Sequence, residues 1–217
     1  MDMTESPATV AGDEPRMRAD ARRSRAKLLE AATAAFAEHG ADAPLEDIAR
    51  RAGVGIGTLY RHFPTRTDLQ AGVFRSQVDA VCETADELIG TVSPEQAFAG
   101  SVRAIAGYLI TKRGLARALM ESLGKDSELI SACSLRMRET LDRQLAHAPQ
   151  AGVLRPDVSA HDVLRLVHGI VMATEQAPQD TDRLLGMMLD GLRAGSAGSA
   201  GSAAGGLRSP GAGSRTG

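Results

Sequence analysis

The sequence predicts an all-α protein, and three observations support that prediction. Strong helix formers such as Ala, Leu, Arg and Glu recur along the 217 residues, whereas clusters of β-branched residues are few. Apolar residues repeat at three- and four-residue spacing, which is the period of an amphipathic helix. Gly and Pro stand between these periodic segments. With 43% hydrophobic but only 3% aromatic residues, the chain can bury a sizeable core built mainly from aliphatic side chains.

The N-terminal third contains three predicted helices and the start of a fourth. Gly40 ends the first helix because it can adopt the left-handed backbone conformation of a C-terminal cap. Pro64 ends the third, because the residue before a proline is displaced from helical geometry. Thr65 and Asp68 have the spacing of a capping box, which opens the fourth. The predicted bounds are Asp20 to His39, Pro44 to Gly53, Thr58 to Phe63 and Thr65 to about Ile89.

The rest of the chain reads as five further helices with visible separators. Their predicted bounds are about 94–111, 114–123, 127–147, 160–176 and 181–193. The two ends lack the apolar residues that would offset the entropy of ordering them. We therefore expect a disordered N-terminus at 1–15, a first domain at 16–75, a second domain at 76–193 and a disordered Gly/Ser/Ala tail at 194–217.

Composition and short motifs exclude several classes of protein. The sequence has no run of the roughly 18 apolar residues that a membrane helix needs, and its acidic N-terminus has no apolar signal segment. Cys82 and Cys133 are far apart and are expected to be reduced and buried, as in a cytoplasmic protein. No phosphate-binding loop, nucleophile–base set or metal-ligand cluster is present, and His161 and His168 are too loosely spaced for one. We expect no catalytic site, no metal and no cofactor.

The second and third predicted helices, joined through Gly53, have the spacing of a helix-turn-helix. In such a motif the N-terminal residues of the second helix enter the major groove of DNA. Gly55 and Gly57, which have no Cβ, let a phosphate approach the backbone there. The donors of this segment suit phosphates or base edges; they belong to Thr58, Tyr60, Arg61, His62 and, at the start of the next helix, Arg66. Leu59 and Phe63 are expected to hold the helix to the core. From Arg16 to Arg75 basic residues exceed acidic ones by four, which favours a polyanionic partner.

The run LEDIARRAGVGIGTLYRHFPTRTDL, from Leu45 to Leu69, resembles the DNA-binding signature of TetR-type (tetracycline-repressor-type) transcriptional regulators. The resemblance covers about residues 20 to 75. It implies backbone contacts to DNA from Thr58, Tyr60, His62 and Arg66, and groove-facing positions at Gly55, Ile56, Gly57 and Arg61. Gly55 departs from the family, which usually has Ser there. Since Gly offers no side chain, Arg61 and the basic N-terminal arm are expected to carry more of the readout; the candidate contacts therefore also include Arg22, Arg23 and Pro44.

The predicted second domain resembles the helical ligand-binding and dimerisation domain of the same regulators. Candidate ligand-pocket residues are Phe98, Ile105, Tyr108, Leu109, Met120, Cys133 and Met137, which would equally suit an ordinary helical core. The last two helices have wide apolar faces, which the family resemblance assigns to a four-helix dimer interface and which core packing within one chain also explains. The candidate interface residues are Leu164, Val167, Val171, Leu185, Met188, Leu189 and Leu192.

The sequence therefore predicts a homodimeric transcriptional regulator with an N-terminal helix-turn-helix domain and a C-terminal effector domain. Its expected partners are a palindromic double-stranded DNA operator, an unidentified small molecule and a second copy of the chain, with no membrane. A ligand-responsive repressor is the first expectation. The alternatives are a transcriptional activator without small-molecule induction and a helical protein-interaction module that does not bind DNA.

Overall fold

The computed structural model describes residues 14–124, 127–147 and 154–193. Within these ranges the secondary structure is helical apart from turns and one isolated bridge between Leu154 and Arg193, which confirms the all-α prediction. No helix in the described ranges is long and apolar enough to cross a membrane. The helices are α1 (Glu14–His39), α2 (Leu45–Arg51), α3 (Ile56–His62), α4 (Arg66–Leu88), α5 (Pro94–Thr111), α6 (Arg113–Leu123), α7 (Glu128–His147), α8 (Ala160–Ala173) and α9 (Thr181–Gly191), with a 3-10 helix at Pro178–Asp180.

The predicted helix ends correspond to specific backbone features. Gly40 and Gly53 have φ angles of 77° and 67°, so the chain turns at both through the left-handed region that glycine tolerates. The capping box at the start of α4 is present: the Thr65 hydroxyl accepts from the Asp68 backbone N–H, and the Asp68 carboxylate accepts from the Thr65 N–H. Ser93 and Gln96 form the same arrangement at the start of α5.

Several helix bounds differ from the prediction; α9, for example, ends at Gly191 rather than at about residue 193. α1 begins at Glu14 rather than Asp20, because the Ala- and Arg-rich segment after Pro15 favours helix and Pro is tolerated in a first turn. Residues 14 and 15 are thus helical, while the rest of the expected disordered N-terminus and the whole 194–217 tail lie outside the described residues. α3 begins two residues early, at Ile56. α8 ends at Ala173, where Thr174 bonds through its hydroxyl to the Ile170 carbonyl and to Thr181.

The first four helices share one apolar core. Leu28, Ile48, Leu59 and Leu69, one from each of α1 to α4, are fully excluded from solvent. α4 continues beyond this core and packs against α5, α6 and α7, and α5 also packs against α8. A single long helix therefore belongs to both the helix-turn-helix and the C-terminal bundle.

Gly72 marks the closest approach between α4 and the N-terminal helices. A Cβ added there would lie 2.9 Å from Cε1 of Phe63 and 3.0 Å from Cδ2 of Leu29. The Phe63 ring is buried and cannot easily move away from such a contact. Glycine at this position therefore determines how closely α3 and α1 can approach α4.

Gly72→Ala is expected to lower the free energy of unfolding by about 1–3 kcal/mol, because the added methyl group overpacks the contact with Phe63. Gly107→Ala in α5 is the matched control, since a Cβ there meets no atom within 4 Å. That control is expected to gain roughly 0.5–1 kcal/mol from improved helix propensity. Urea unfolding followed by circular dichroism measures both. Equal stabilisation of the two variants would contradict the close packing at Gly72.

Candidate nucleic-acid interface

The helix-turn-helix is built on a small set of buried residues. Ile48 and Ala49 of α2 are buried against the core, and the backbone N–H of Val54 donates to the Ala49 carbonyl across the turn. In α3, Leu59 is the buried residue, and Phe63 follows directly as its C-terminal cap. Both residues have the anchoring position that the sequence predicts for them.

The N-terminal end of α3 is open to solvent. Gly55 is the N-cap in an extended conformation, and its carbonyl accepts from the N–H groups of Thr58 and Leu59 at 2.9 and 3.3 Å. A Cβ at Gly55 or Gly57 would meet no atom within 4 Å. Neither glycine is therefore required by packing inside the chain, and both leave room for an external group to approach the backbone.

The side chains of α3 that do not pack on the core point outward. Tyr60 is 46% exposed, and Ile56 and Arg61 are also exposed. Thr58 and His62 are half-buried, and the His62 ring lies 6.4 Å from that of Phe63. The predicted contact residues of α3 are thus all at least partly accessible to solvent, and they comprise several donors and one apolar side chain.

Arg66 has a partner inside the protein. Its Nη1 donates to the carbonyls of Ala41 and Ala43, at 3.3 and 2.6 Å, in the loop between α1 and α2. Gln70, one turn further along α4, also donates to the Ala41 carbonyl, at 2.9 Å. The guanidinium therefore connects α4 to the helix-turn-helix, a role that the sequence comparison with the family did not indicate.

The basic arm is the N-terminal half of α1. From Arg16 to Lys27 its side chains are exposed or half-buried, and Arg22 and Arg23 are both exposed. Arg23 forms an ion pair with Asp20, and Nε of Arg22 donates to the Arg18 carbonyl. Pro44, the remaining candidate, is exposed as the N-cap of α2.

Arg25 was not among the candidates, although its spacing three residues before Leu28 places it near the core-facing side of α1. Its guanidinium carbon lies 5.2 Å from the centroid of the Phe63 ring, within the range of a cation–π interaction. This contact joins the base of the arm to the end of α3.

The candidate ligand-pocket residues are mostly core residues of the C-terminal bundle. Phe98, Ile105, Tyr108, Cys133 and Met137 are buried, Leu109 is half-buried and Met120 is exposed on α6. Burial raises the pKa of the Tyr108 phenol, and it raises the pKa of the Cys133 thiol to about 11, so both groups are uncharged at neutral pH. The Tyr108 hydroxyl has no hydrogen-bond partner among the described residues.

The predicted pocket residues do not surround either of two cavities in the described part of the chain. A cavity of about 320 Å³ between α5 and α9 includes Phe98 alone of the seven candidates. A cavity of about 90 Å³ between α1, α4 and the junction of α5 with α6 includes none of them. The residues that line the larger cavity cannot be identified from the sequence, because its walls come from helices whose packing partners are not encoded in the spacing of their residues.

The candidate dimer residues divide between core and surface. Val167, Val171, Leu185 and Leu189 are buried within the chain, so for these four the alternative of core packing applies. Leu164, Met188 and Leu192 are half-buried at the edge of the same core. The exposed apolar residues of α8 and α9 are others that the sequence analysis did not select: Leu166, Met172 and Met187. The apolar faces were too wide for spacing alone to separate the core side from the outer side.

Arg66→Ala is expected to lower the free energy of unfolding by about 1–3 kcal/mol, because the Ala43 carbonyl loses its donor. Arg61→Ala is the matched control, since Arg61 has no hydrogen bond or ion pair within the described ranges; its stability should change by less than about 0.5 kcal/mol. Urea unfolding compares the two. If Arg66→Ala were as stable as the wild type, the contacts to the α1–α2 loop would not be structurally important.

Comparison with known proteins accounts for both parts of the chain. Residues 28–73 match the family described as bacterial regulatory proteins, tetR family. Residues 93–194 match the family described as the C-terminal domain of SbtR-like transcriptional regulators. Helix-turn-helix-type transcriptional regulators of Staphylococcus aureus are 39% identical over 64 residues, which are 29% of this chain and 35% of theirs. The match thus spans about a third of the length of those relatives.

Solved structures are similar over a greater length. A TetR transcriptional regulator from Streptomyces coelicolor is 35% identical, with a TM-score of 0.67 over 79% of this chain and 99% of that one. A TetR transcription regulatory protein from Mycobacterium vanbaalenii is 34% identical, with a TM-score of 0.66 over 82% and 99% of the two chains. With both the N-terminal and the C-terminal regions matched, the chain belongs to the TetR family of DNA-binding transcriptional regulators.

Proposed function

We propose that this regulator is a homodimeric repressor that binds a palindromic operator and is released from it by a small molecule. Residues 16–75 would form the DNA-binding domain and residues 76–193 the effector and dimerisation domain, acting in the cytoplasm. The observation that carries the proposal is the division of α3 into an anchored and an outward surface. Leu59 is fully buried, whereas Tyr60 and Arg61 beside it are exposed.

The outward surface of α3 is suited to the major groove. Tyr60 and His62 offer donors for phosphates, Arg61 offers a planar guanidinium that fits guanine, and Ile56 offers an apolar contact for a thymine methyl group. Thr58 sits at the same end, and Gly55 and Gly57 allow the sugar–phosphate backbone to come close. Arg22 and Arg23 on the arm would add contacts outside the groove, with Pro44 near the backbone at the start of α2. Arg66 would act indirectly, by holding α4 to the α1–α2 loop.

The dimer surface is proposed on the outer sides of α8 and α9. Leu166, Met172 and Met187 are exposed there, and half-buried Ile170 and Leu184 border them. An isologous contact between two such surfaces would place the two recognition helices in a symmetric pair, as a palindromic operator requires. Dimerisation would thus use residues that lie next to the buried apolar residues of α8 and α9 and are mostly different from them.

The regulatory step follows from binding equilibria. Operator affinity requires both recognition helices to fit successive major grooves, so any change in their separation weakens binding. A ligand that binds more tightly to the mismatched arrangement shifts the population toward it and releases the DNA. Such a change would reach the helix-turn-helix through α4, since α4 packs in both domains.

Duplex binding tests the DNA-binding part of the proposal. The wild-type affinity for its operator is expected to fall with salt, with a log–log slope of about −0.9 for each phosphate neutralised. Tyr60→Phe should weaken binding to all duplexes alike, because a phosphate contact carries no sequence information. Arg61→Ala should relax the preference at one base pair, by roughly 1–3 kcal/mol. Fluorescence anisotropy with a panel of single-base operator variants measures these effects.

Arg117→Ala is the control for this experiment, since Arg117 is exposed on α6 and remote in sequence from the helix-turn-helix. It should bind every duplex as the wild type does. An equal loss on all duplexes for Arg61→Ala would show that Arg61 contacts only the DNA backbone. Absence of salt-dependent binding to any duplex, including the protein's own promoter region, would contradict the proposed function.

Leu166→Glu is expected to dissociate the dimer, because it would place an unpaired carboxylate in an apolar contact at a cost of roughly 3 kcal/mol or more. Leu135→Glu on α7 is the matched control, since Leu135 is 48% exposed and Leu166 46%. Sedimentation equilibrium should report a monomer for Leu166→Glu and a dimer for Leu135→Glu. A dimer for Leu166→Glu, or a monomer for Leu135→Glu, would move the interface elsewhere on the bundle.

A further inference from the structure

The N-terminal half of α1 extends beyond the core of the first four helices. From Arg16 to Lys27 no side chain is buried, whereas Leu28 and Leu29, at the edge of the core, are both buried. A helical segment without buried side chains gains little stability from packing within its own chain. The residues that this extension places on each of its sides therefore decide which partner it fits.

One side of the extension continues the face by which α1 packs on the core. Arg25, Arg22 and Arg18 precede Leu29 by four, seven and eleven residues, which is the spacing of a single helix face. Leu29 points toward α4, since its Cδ2 would lie 3.0 Å from a Cβ added at Gly72. Nε of Arg22 donates to the Arg18 carbonyl, which directs the Arg22 side chain along this face. We name Arg18, Arg22 and Arg25 the arginine face; from Arg18 to Leu29 it contains no acidic residue.

The opposite side of the extension is mixed in charge. Lys27 precedes Leu29 by two residues, which places it about 200° around the helix. Arg23, Asp20 and Arg16 precede Lys27 by four, seven and eleven residues and therefore share its side. Arg23 forms an ion pair with Asp20 there. Each side thus has three basic residues, but an acidic residue partly neutralises only the side of Lys27.

The arginine face begins beside the proposed DNA surface of α3. The guanidinium carbon of Arg25 lies 5.2 Å from the centroid of the Phe63 ring, and Arg25 is nevertheless exposed. The ring of His62, a proposed phosphate donor, lies 6.4 Å from that of Phe63. Arg22 and Arg18 continue the row of positive charge away from this point by about 10 Å, at the rise of an α-helix. Since each strand of a duplex has one phosphate for every ~3.4 Å of its axis, the row spans about three base pairs.

We propose that the arginine face binds the sugar–phosphate backbone of the operator beside the half-site that α3 reads. Arg22 and Arg18 each neutralise a phosphate there, and Arg25 joins this contact to the one made by His62. Duplex DNA is the partner because the row has one sign of charge and continues the surface of a DNA-binding helix. The inference rests on the proposed function and narrows its arm contacts: Arg22 belongs to the arginine face, whereas Arg23 lies on the opposite side with an acidic partner.

A phosphate contact of this kind adds affinity without adding sequence preference. Glycine at 55 and 57 gives α3 few side chains for base edges, so the arginine face supplies binding energy that α3 does not. The protected part of the operator is then longer than the stretch of bases that α3 can read.

Two double variants of the full chain separate the arginine face from the overall charge of the arm. Arg18→Ala with Arg22→Ala removes two charges from the arginine face, and Arg16→Ala with Lys27→Ala removes two from the opposite side, so their net charges are equal. The probe is a duplex that the wild-type chain selects from a random-sequence library, with flanking sequence on both sides. In fluorescence anisotropy at about 0.15 M salt, the arginine-face variant should bind roughly tenfold or more weakly, with a salt slope shallower by about 0.9 for each lost phosphate contact. The control variant should stay within about threefold of the wild type, because salt screens charges that touch no phosphate.

Ethylation interference locates the contact on the duplex. Ethylated phosphates beside each half-site should weaken binding of the wild type and of the control variant, but not of the arginine-face variant. A random-sequence duplex of the same length should lose affinity for the arginine-face variant by the same factor as the selected duplex, since phosphates carry no sequence information. Thermal unfolding should be nearly unchanged in both double variants, because all four substituted side chains are exposed.

Equal affinities of the two double variants, or an unchanged ethylation pattern for the arginine-face variant, would overturn the assignment. A loss confined to the selected duplex would show that the arm reads bases, which would also overturn it. A wild-type chain that selects no duplex would contradict the proposed function, and the arm contact with it. If the wild type binds and Tyr60→Phe weakens binding as expected while the two double variants bind alike, the arm contact alone is wrong.

Discussion

The contact between Gly72 of α4 and the ring of Phe63 is the constraint on which the position of the helix-turn-helix depends. α3 has seven residues, which is too short to be stable as an isolated helix. Its orientation therefore comes entirely from what it packs on, namely Leu59 in the core and Phe63 against α4. The absence of a Cβ at Gly72 allows that close approach. Arg66 and Gln70 hold the adjoining loop to the same helix.

This arrangement makes α4 a shared structural element. Its first turns belong to the helix-turn-helix, and its remaining turns pack against α5, α6 and α7. A displacement of the C-terminal bundle relative to α4 cannot be absorbed at a flexible linker, because no linker separates the two parts. The loop carbonyls held by Arg66, and with them α2 and α3, must move with α4. Close packing thus provides the physical route by which occupancy in one domain would alter the other.

The limited set of side chains on α3 also has a structural explanation. Glycine at 55 and 57 leaves two positions without side chains at the helix end that would enter the groove in the proposed complex, so Arg61 and Ile56 are the groove-facing groups of the proposal. Arg25 joins the base of the basic arm to Phe63 through a cation–π contact. In the proposed complex, direct readout would come from few side chains, and contacts from the arm would help to fix the position of the protein on the duplex.

The sequence by itself determined the all-α fold, the helix-turn-helix, the capping box at Thr65 and the anchoring of Leu59 and Phe63, because these depend on local spacing and backbone chemistry. It did not determine the partner of Arg66, the surface residues of α8 and α9, or the cavity between α5 and α9. Those depend on which helices pack together and at what angle. A row of apolar residues along a helix indicates that this face is buried. Which residues at the edge of the face remain exposed depends on the neighbouring helices. The tertiary structure therefore decided that Val167 and Leu185 lie in the core and that Leu166 and Met187 lie at the surface.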